Sequence, residues 1–186
     1  MQFIQYIDTS ILLFFQDHLR CGFLNAVMIF FSAIGTWGLV WIVAAAVMLV
    51  SKKYRYTGIV LLLCLAVTWG LNDGVLKNLV HRPRPYVTLT GLNVLVPRLH
   101  DFSFPSGHTS TGFAAAYAVT HLNGRRWAWV YIAASVIAVS RLYLGMHYPT
   151  DVLGGIVLGT LSAAGVCALM RLILKPEKLR GNSANN

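Results

Sequence analysis

Long apolar segments separated by short polar ones make up most of the chain after residue 23. A helix needs roughly 20 mostly apolar residues to cross a bilayer, so segments near this length predict membrane helices. The first apolar stretch, residues 24–50, is interrupted at Gly35–Thr36, and its second part is taken as the first crossing. The five predicted crossings are Trp37–Val50, Thr57–Val80, Thr109–His121, Trp127–Leu144 and Val152–Leu174, with a long loop over residues 81–107.

The N-terminal segment has a different pattern. Residues 3–19 alternate apolar clusters with polar residues such as Asp8 and Asp17, and they are too few and too polar to span a bilayer. We expect residues 1–20 to form an amphipathic helix at the membrane interface. The segment lacks the basic start of a cleavable signal peptide, so it is assigned to the mature protein.

These elements predict an all-α fold, an integral membrane helical bundle with about five transmembrane helices plus the N-terminal amphipathic interfacial helix. Residues 1–175 are expected to form a single domain, followed by a polar cytoplasmic tail, residues 176–186, that is disordered beyond Arg180.

Composition supports a membrane protein and excludes several other classes. Of the 186 residues 56% are hydrophobic and 11% are charged, whereas soluble domains carry about a quarter charged residues. The net charge of +9 does not predict a nucleic-acid partner, because basic and aromatic residues do not interleave on a polar surface. The three cysteines are too dispersed for a disulfide framework or a zinc site.

Two cations lie near the end of the second predicted crossing. Placing the charge of Lys77 there costs free energy unless the side chain faces a polar cavity. A lysine that snorkels to the interface is the simpler alternative. Arg84 lies between Pro83 and Pro85, which hold the backbone stiff, and its guanidinium suits bidentate binding of phosphate. Arg82 is expected to be only a charge at the rim.

The segment Pro105-Ser106-Gly107-His108 predicts a turn that leads into the third crossing. Unpaired N–H groups at a helix start point at an anion, and Gly107 lets the backbone approach it closely. Ser106 can donate a hydrogen bond to that anion, or it can simply cap the helix. His108 is placed at the mouth of the site, where a lone histidine is more often structural.

The third polar group is the most specific. Asp151 follows His147 by four residues, and this spacing lets the carboxylate hold one ring N–H and leave the other nitrogen as a nucleophile. Arg141 lies at the end of the fourth crossing, where its charge needs a buried anion. A structural ion pair between Arg141 and Asp151 is the alternative.

Charge in the loops predicts which side of the membrane carries these groups. If loop 51–56 is cytoplasmic, loop 123–126 and the C-terminal segment are cytoplasmic too, because even numbers of crossings separate them. These segments hold nine of the fifteen basic residues, so the positive-inside rule places all three polar groups on the extracytoplasmic face. We therefore predict a multi-pass protein of the cell (plasma) membrane.

The three groups resemble the signature of the type 2 phosphatidic acid phosphatase superfamily. Its first motif is Lys, six residues, Arg-Pro, which Lys77, Arg84 and Pro85 match. Its second motif, Pro-Ser-Gly-His, is matched by residues 105–108. Its third motif, Ser-Arg, five residues, His, three residues, Asp, is matched by Ser140, Arg141, His147 and Asp151. The match extends over residues 77–151.

The resemblance implies roles for these residues. The catalytic residues would be His147, which attacks phosphorus, His108, which protonates the leaving oxygen, and Asp151, which orients His147. The phosphate would be bound by Lys77, Arg84, Ser106, Gly107 and Arg141. No metal and no cofactor is expected, because the cations belong to the protein and no carboxylate cluster suited to magnesium is present.

The implied substrate is a lipid phosphate within the membrane, such as undecaprenyl pyrophosphate, phosphatidylglycerol phosphate or phosphatidic acid. Transfer of the phosphoryl group to another lipid or sugar is an alternative, since it would share the phosphohistidine step. An anion channel or transporter is the alternative from a different class, although it has no need for His147 paired with Asp151. The oligomeric state is left open.

Overall fold

A computed structural model describes residues 2–181 of the chain and the side-chain surroundings of residues 3–173. The described part forms nine α-helices. They are α1 Gln2–Phe14, α2 Gly22–Gly35, α3 Leu39–Val50, α4 Arg55–Trp69, α5 Lys77–Val80, α6 Pro85–Thr88, α7 Gly107–Asn123, α8 Trp129–Tyr143 and α9 Pro149–Gly181. The predicted all-α class is confirmed.

Three helical segments are long and apolar enough to cross a membrane, namely Gly22–Val50, Arg55–Thr88 and Pro149–Ile173. The first of these segments contains the predicted crossing Trp37–Val50 and extends back to Gly22, because the chain resumes its helix after a short turn, Thr36–Gly38. Helices α7 and α8 have 17 and 15 residues, so the count of five crossings stays a prediction.

Helix α7 lies at the centre of the bundle and packs against α4, α8 and α9. Its inner surface is built from small residues, among them Ala114, Ala115 and Ala118, which are fully buried. Helix α9 approaches it closely because Gly155 has no side chain; a Cβ there would lie 2.8 Å from the carbonyl oxygen of Ser106. Small residues that bring helix backbones together are typical of membrane bundles.

Two irregular segments flank the end of the bundle that carries the polar motifs. The turn Thr36–Gly38 joins α2 to α3, and Trp37 and Gly38 adopt left-handed backbone conformations there. A π-helical segment, Gly70–Leu76, joins α4 to α5. Both are features that often occur at functional sites.

Both ends of the chain differ in part from the expectation. Helix α1 is present, but its buried residues are Asp8 and Leu12, whereas Phe3, Tyr6 and Phe14 are exposed. Helix α9 continues through the start of the predicted tail to Gly181. The predicted disorder falls largely on residues 182–186, which lie outside the described residues.

Candidate active site

A cavity of about 550 Å³ opens beside the start of α7. It lies between the irregular segments that follow α2 and α4. Its walls include most of the residues that the motifs predicted, which are Lys77, Arg84, Gly107, His108, Arg141 and His147. Folding thus brings motif residues up to 70 positions apart into one site.

His147 lies in the short connection between α8 and α9 and is almost completely buried. Its Nδ1 atom is 2.8 Å from the carbonyl oxygen of Ser103. A carbonyl can only accept, so the ring proton is on Nδ1 and the lone pair is on Nε2. Arg84 Nη1 lies 3.2 Å from that Nε2 atom. The nitrogen with the lone pair is therefore on the side of the cationic pocket.

Burial also keeps the ring neutral. Loss of solvation, reinforced by the charges of Arg84 and Arg141 and partly opposed by Asp151, lowers the pKa of His147 to about 4. A neutral imidazole at physiological pH is the form that can act as a nucleophile.

Asp151 is close to His147 but does not hold its ring N–H directly. Its Oδ2 atom is 3.7 Å from Nδ1, beyond hydrogen-bonding distance. The Asp151 carboxylate accepts hydrogen bonds from the Ser103 hydroxyl and from the Tyr148 N–H, the latter at 2.8 Å. The expected direct hydrogen bond between the ring N–H and Asp151 is therefore corrected: the Ser103 carbonyl accepts that N–H, and the Ser103 hydroxyl donates to Asp151.

His108, the second residue of α7, lines the same cavity as His147. Its Nε2 atom lies 3.1 Å from the carbonyl oxygen of Ser32 on α2. Because the carbonyl accepts, Nε2 carries a proton, and Nδ1 is the nitrogen left for proton exchange.

Lys77 and Arg84 are both held by one carboxylate that the motifs did not include. Asp101 Oδ2 is 2.5 Å from Lys77 Nζ, and Asp101 Oδ1 is 2.7 Å from Arg84 Nη2. Asp73, four residues before Lys77, contacts the same ammonium at 2.6 Å. Although burial opposes ionisation, the two cations lower the pKa of Asp101. Asp101 thus lies as an anion between two predicted phosphate ligands.

Arg141 is the least compensated cation of the cavity. It is 3% exposed, and the described residues place no carboxylate within 4.0 Å of it. Its Nη1 donates to the Ser32 hydroxyl, while Nε has no partner among the atoms that the structure describes. The alternative of an Arg141–Asp151 ion pair is therefore wrong. A buried cation without a counter-ion favours a site that takes up an anion.

Of the two remaining predicted phosphate ligands, both at the start of α7, only one faces the cavity. Gly107 lines the cavity. Ser106 does not; it is fully buried, and its hydroxyl accepts a hydrogen bond from Thr109 at 3.0 Å. Its backbone N–H donates to the carbonyl oxygen of Asp151 and so joins α7 to α9.

Arg82 is not the rim charge that was expected. Its guanidinium contacts Asp8 at 2.7 Å and Asp151 at 2.6 Å, and both carboxylates are fully buried. Sequence reasoning missed Asp8, Ser103 and Asp101 as parts of the site. Asp8 could have been recognised as a carboxylate within an apolar segment. For Ser103 and Asp101 the only indication in the sequence was that they lie close to the second motif.

Among the side chains that the structure describes, residues 3–173, no group of three or more His, Cys, Asp or Glu is arranged to hold a metal ion. The charges that face the cavity are instead Lys77, Arg84 and Arg141, together with the carboxylates of Asp73 and Asp101.

Comparison with known proteins identifies the family. The PAP2 superfamily matches residues 55–174, which include all three motifs. The chain belongs to the PAP2 superfamily. Its match to an undecaprenyl-diphosphatase of Sulfolobus acidocaldarius is 36% identical over 143 residues, which is 74% of this chain and 66% of that protein.

Two solved structures share the fold. Aquifex aeolicus LpxE superposes with a TM-score of 0.73 and 26% identity, over 90% of this chain and 93% of that one. A transmembrane PAP2-type phosphatidylglycerolphosphate phosphatase from Bacillus subtilis superposes with a TM-score of 0.68 and 30% identity. The superposition covers 92% of this chain and 86% of that one. This PAP2 protein is therefore a membrane protein with a known helical architecture.

Proposed function

We propose that this PAP2 protein is a metal-independent phosphatase of lipid phosphates or pyrophosphates. The observation that carries the proposal is the position of His147 Nε2, whose lone pair lies beside Arg84 at a cavity lined by cations. The names of the relatives, an undecaprenyl-diphosphatase and a phosphatidylglycerolphosphate phosphatase, support this substrate class.

The first step forms a covalent intermediate. His147 Nε2 attacks phosphorus, and the bond from phosphorus to the leaving oxygen breaks; this is the lipid alcohol oxygen of a phosphate ester or the bridging oxygen of a pyrophosphate. That oxygen takes a proton from Nδ1 of His108, which enters this step with both ring nitrogens protonated. The charge that develops on the phosphoryl oxygens is stabilised by Arg84, Arg141 and the N–H groups at the start of α7. Lys77, which also lines the cavity, adds positive charge.

The second step restores the enzyme. His108 accepts a proton from water, the resulting hydroxide attacks phosphorus, and the bond to His147 breaks. Inorganic phosphate leaves in this step, and with a pyrophosphate substrate the lipid monophosphate has already left in the first step. Because the cations belong to the chain, no metal is needed in either step.

A lipid substrate suits the walls of the cavity. Trp37 and Trp69 line it and are 81% and 55% exposed. Exposed tryptophans are typical of membrane interfaces. The lipid phosphate would enter between them while its chain stays in hydrocarbon. The charge distribution of the loops supports a multi-pass cell-membrane protein with this site on the extracytoplasmic face.

The test is phosphate release by the detergent-purified protein, with EDTA present, from undecaprenyl pyrophosphate, phosphatidylglycerol phosphate and phosphatidic acid. His147→Ala should lose at least about a thousand-fold in rate. The matched control is His121→Ala, because His121 is exposed near the other end of α7 and stacks on Tyr117. Full activity of His147→Ala, or loss of activity in EDTA, would contradict the mechanism.

A further inference from the structure

Asp8 of α1 is a fully buried carboxylate placed at the start of α9. Its Oδ1 accepts the backbone N–H of Thr150 at 3.0 Å, and its Oδ2 accepts the Thr150 hydroxyl at 2.5 Å. The first N–H groups of a helix lack partners within the helix, and an anion there is stabilised by the helix dipole. Asp8 therefore caps α9 from another part of the chain.

Arg82 joins Asp8 to Asp151. Its Nη2 lies 2.7 Å from Asp8 Oδ2, and its Nη1 lies 2.6 Å from Asp151 Oδ1 and 2.6 Å from the Thr150 hydroxyl. The guanidinium also lies over the ring of Tyr148, 4.1 Å from its centre. One cation thus compensates two buried carboxylates, an arrangement that is costly to disturb at any member.

Two connections lead from Arg82 to the imidazole of His147. The carbonyl oxygen of Arg82 accepts the N–H of Ser103 at 2.8 Å. Asp151, held by Arg82, accepts the Ser103 hydroxyl. Since the Ser103 carbonyl receives the Nδ1–H of His147, Arg82 fixes the residue that orients the ring.

Arg82 does not lie in the phosphate cavity. The cavity is lined by Arg84 and Arg141 but not by Arg82, whose guanidinium is already occupied by the carboxylates of Asp8 and Asp151. A direct role on phosphate would require it to leave both partners. Asp8 also lies outside residues 55–174, the part that matches the superfamily.

We propose that Asp8 and Arg82 are positioning residues of the active site, which hold Asp151 and Ser103 so that His147 Nε2 faces the phosphate. This inference rests on the proposed function. It assigns the N-terminal helix a part in catalysis, because α1 supplies the carboxylate on which the network ends.

Kinetics separate a positioning role from a binding role. We expect Asp8→Asn and Arg82→Gln each to lower kcat for phosphatidylglycerol phosphate by about 10-fold to 100-fold, with KM changed less than about threefold. The kcat of the double variant should be no lower than that of the less active single variant, because both substitutions act through one network. Arg82→Lys keeps the charge and one contact, so its kcat should lie between wild type and Arg82→Gln.

The matched control is Asp17→Asn, which makes the same substitution at an exposed carboxylate of the same N-terminal segment. It should retain wild-type kcat and KM. A raised KM with unchanged kcat in Arg82→Gln would mean that Arg82 binds phosphate directly. Additive losses in the double variant, or wild-type kcat in both single variants, would also overturn the proposal.

A second readout does not need turnover. In protein labelled with ¹⁵N-histidine, the imidazole of His147, assigned with His147→Gln, should show the Nδ1–H tautomer alone. Asp8→Asn and Arg82→Gln should mix the tautomers. If no lipid is hydrolysed, the proposed function fails, and the tautomers alone decide: a mixture in the variants supports positioning, and an unchanged single tautomer overturns it.

Discussion

The Nδ1–H of His147 donates to the carbonyl oxygen of Ser103 at 2.8 Å, not to the carboxylate of Asp151. The carbonyl holds the imidazole in one tautomer. The Asp151 carboxylate, 3.7 Å from Nδ1, opposes the lowering of the pKa, but burial outweighs it and the pKa stays low.

Loss of the Ser103 hydroxyl tests this arrangement. Ser103→Ala keeps the carbonyl that receives Nδ1–H but removes the donor to Asp151. We expect kcat to fall about tenfold, the cost of roughly one hydrogen bond, with KM unchanged. Steady-state hydrolysis of phosphatidylglycerol phosphate measures it, with Ser162→Ala, outside the cavity, as the control. An unaltered kcat would show that Asp151 acts independently of Ser103.

His147 should become protonated only at an unusually low pH. The folded pKa of about 4 lies below the ordinary histidine value of about 6.5, so the ring stays neutral and nucleophilic until pH falls towards 4. The unfolded chain binds this proton first, so His147 also lowers stability as pH falls from about 6.5 to 4. The ¹⁵N shifts of the ring, followed from pH 8 to 3.5, check the midpoint. A midpoint near 6.5 would contradict the burial argument.

Removal of the Asp101 carboxylate should tighten binding of an anion. Asp101 occupies Lys77 and Arg84 at distances of 2.5 and 2.7 Å, so an incoming phosphate has to compete with it. Asp101→Asn should lower the inhibition constant of vanadate, a phosphate analogue, about tenfold, equivalent to 1.4 kcal/mol. Asp17→Asn serves as the control of equal charge change. Weaker vanadate binding in Asp101→Asn would mean that Asp101 orders the cations instead of competing.

We expect Arg141 to be needed for phosphate binding but not for the stability of the fold. It is buried without a carboxylate partner among the described residues, so Arg141→Met should leave the free energy of unfolding unchanged or raise it by about 1–4 kcal/mol. The same variant should lose the stabilisation that phosphate confers on the wild type. Thermal unfolding in detergent, with and without phosphate, measures both, and Arg171→Met at an exposed position is the control. A destabilised variant would imply an internal counter-charge.

Local sequence was sufficient to predict the long helices and the chemistry of the motifs. The apolar runs predicted each long helix because a membrane helix must satisfy its own backbone and present apolar side chains. Motif spacing predicted that His147, Arg84 and Arg141 would meet at one site, and the cavity contains all three. The first candidate span is longer than the predicted crossing Trp37–Val50, because the turn Thr36–Gly38 interrupts an apolar helical segment that begins at Gly22.

Only the tertiary structure decided how the charges are paired. Asp8 and Arg82 are 74 positions apart, and Lys77 and Asp101 are 24 apart, so no periodicity along the chain joins them. Which carboxylate reaches which cation depends on the packing of α1 and of the loop before α7, and hydrogen bonds act over about 3 Å. By itself the sequence determined a membrane helical bundle with a phosphate-binding signature. The folded chain decided which residues orient the imidazole of His147 and which carboxylates pair with the cations of the cavity.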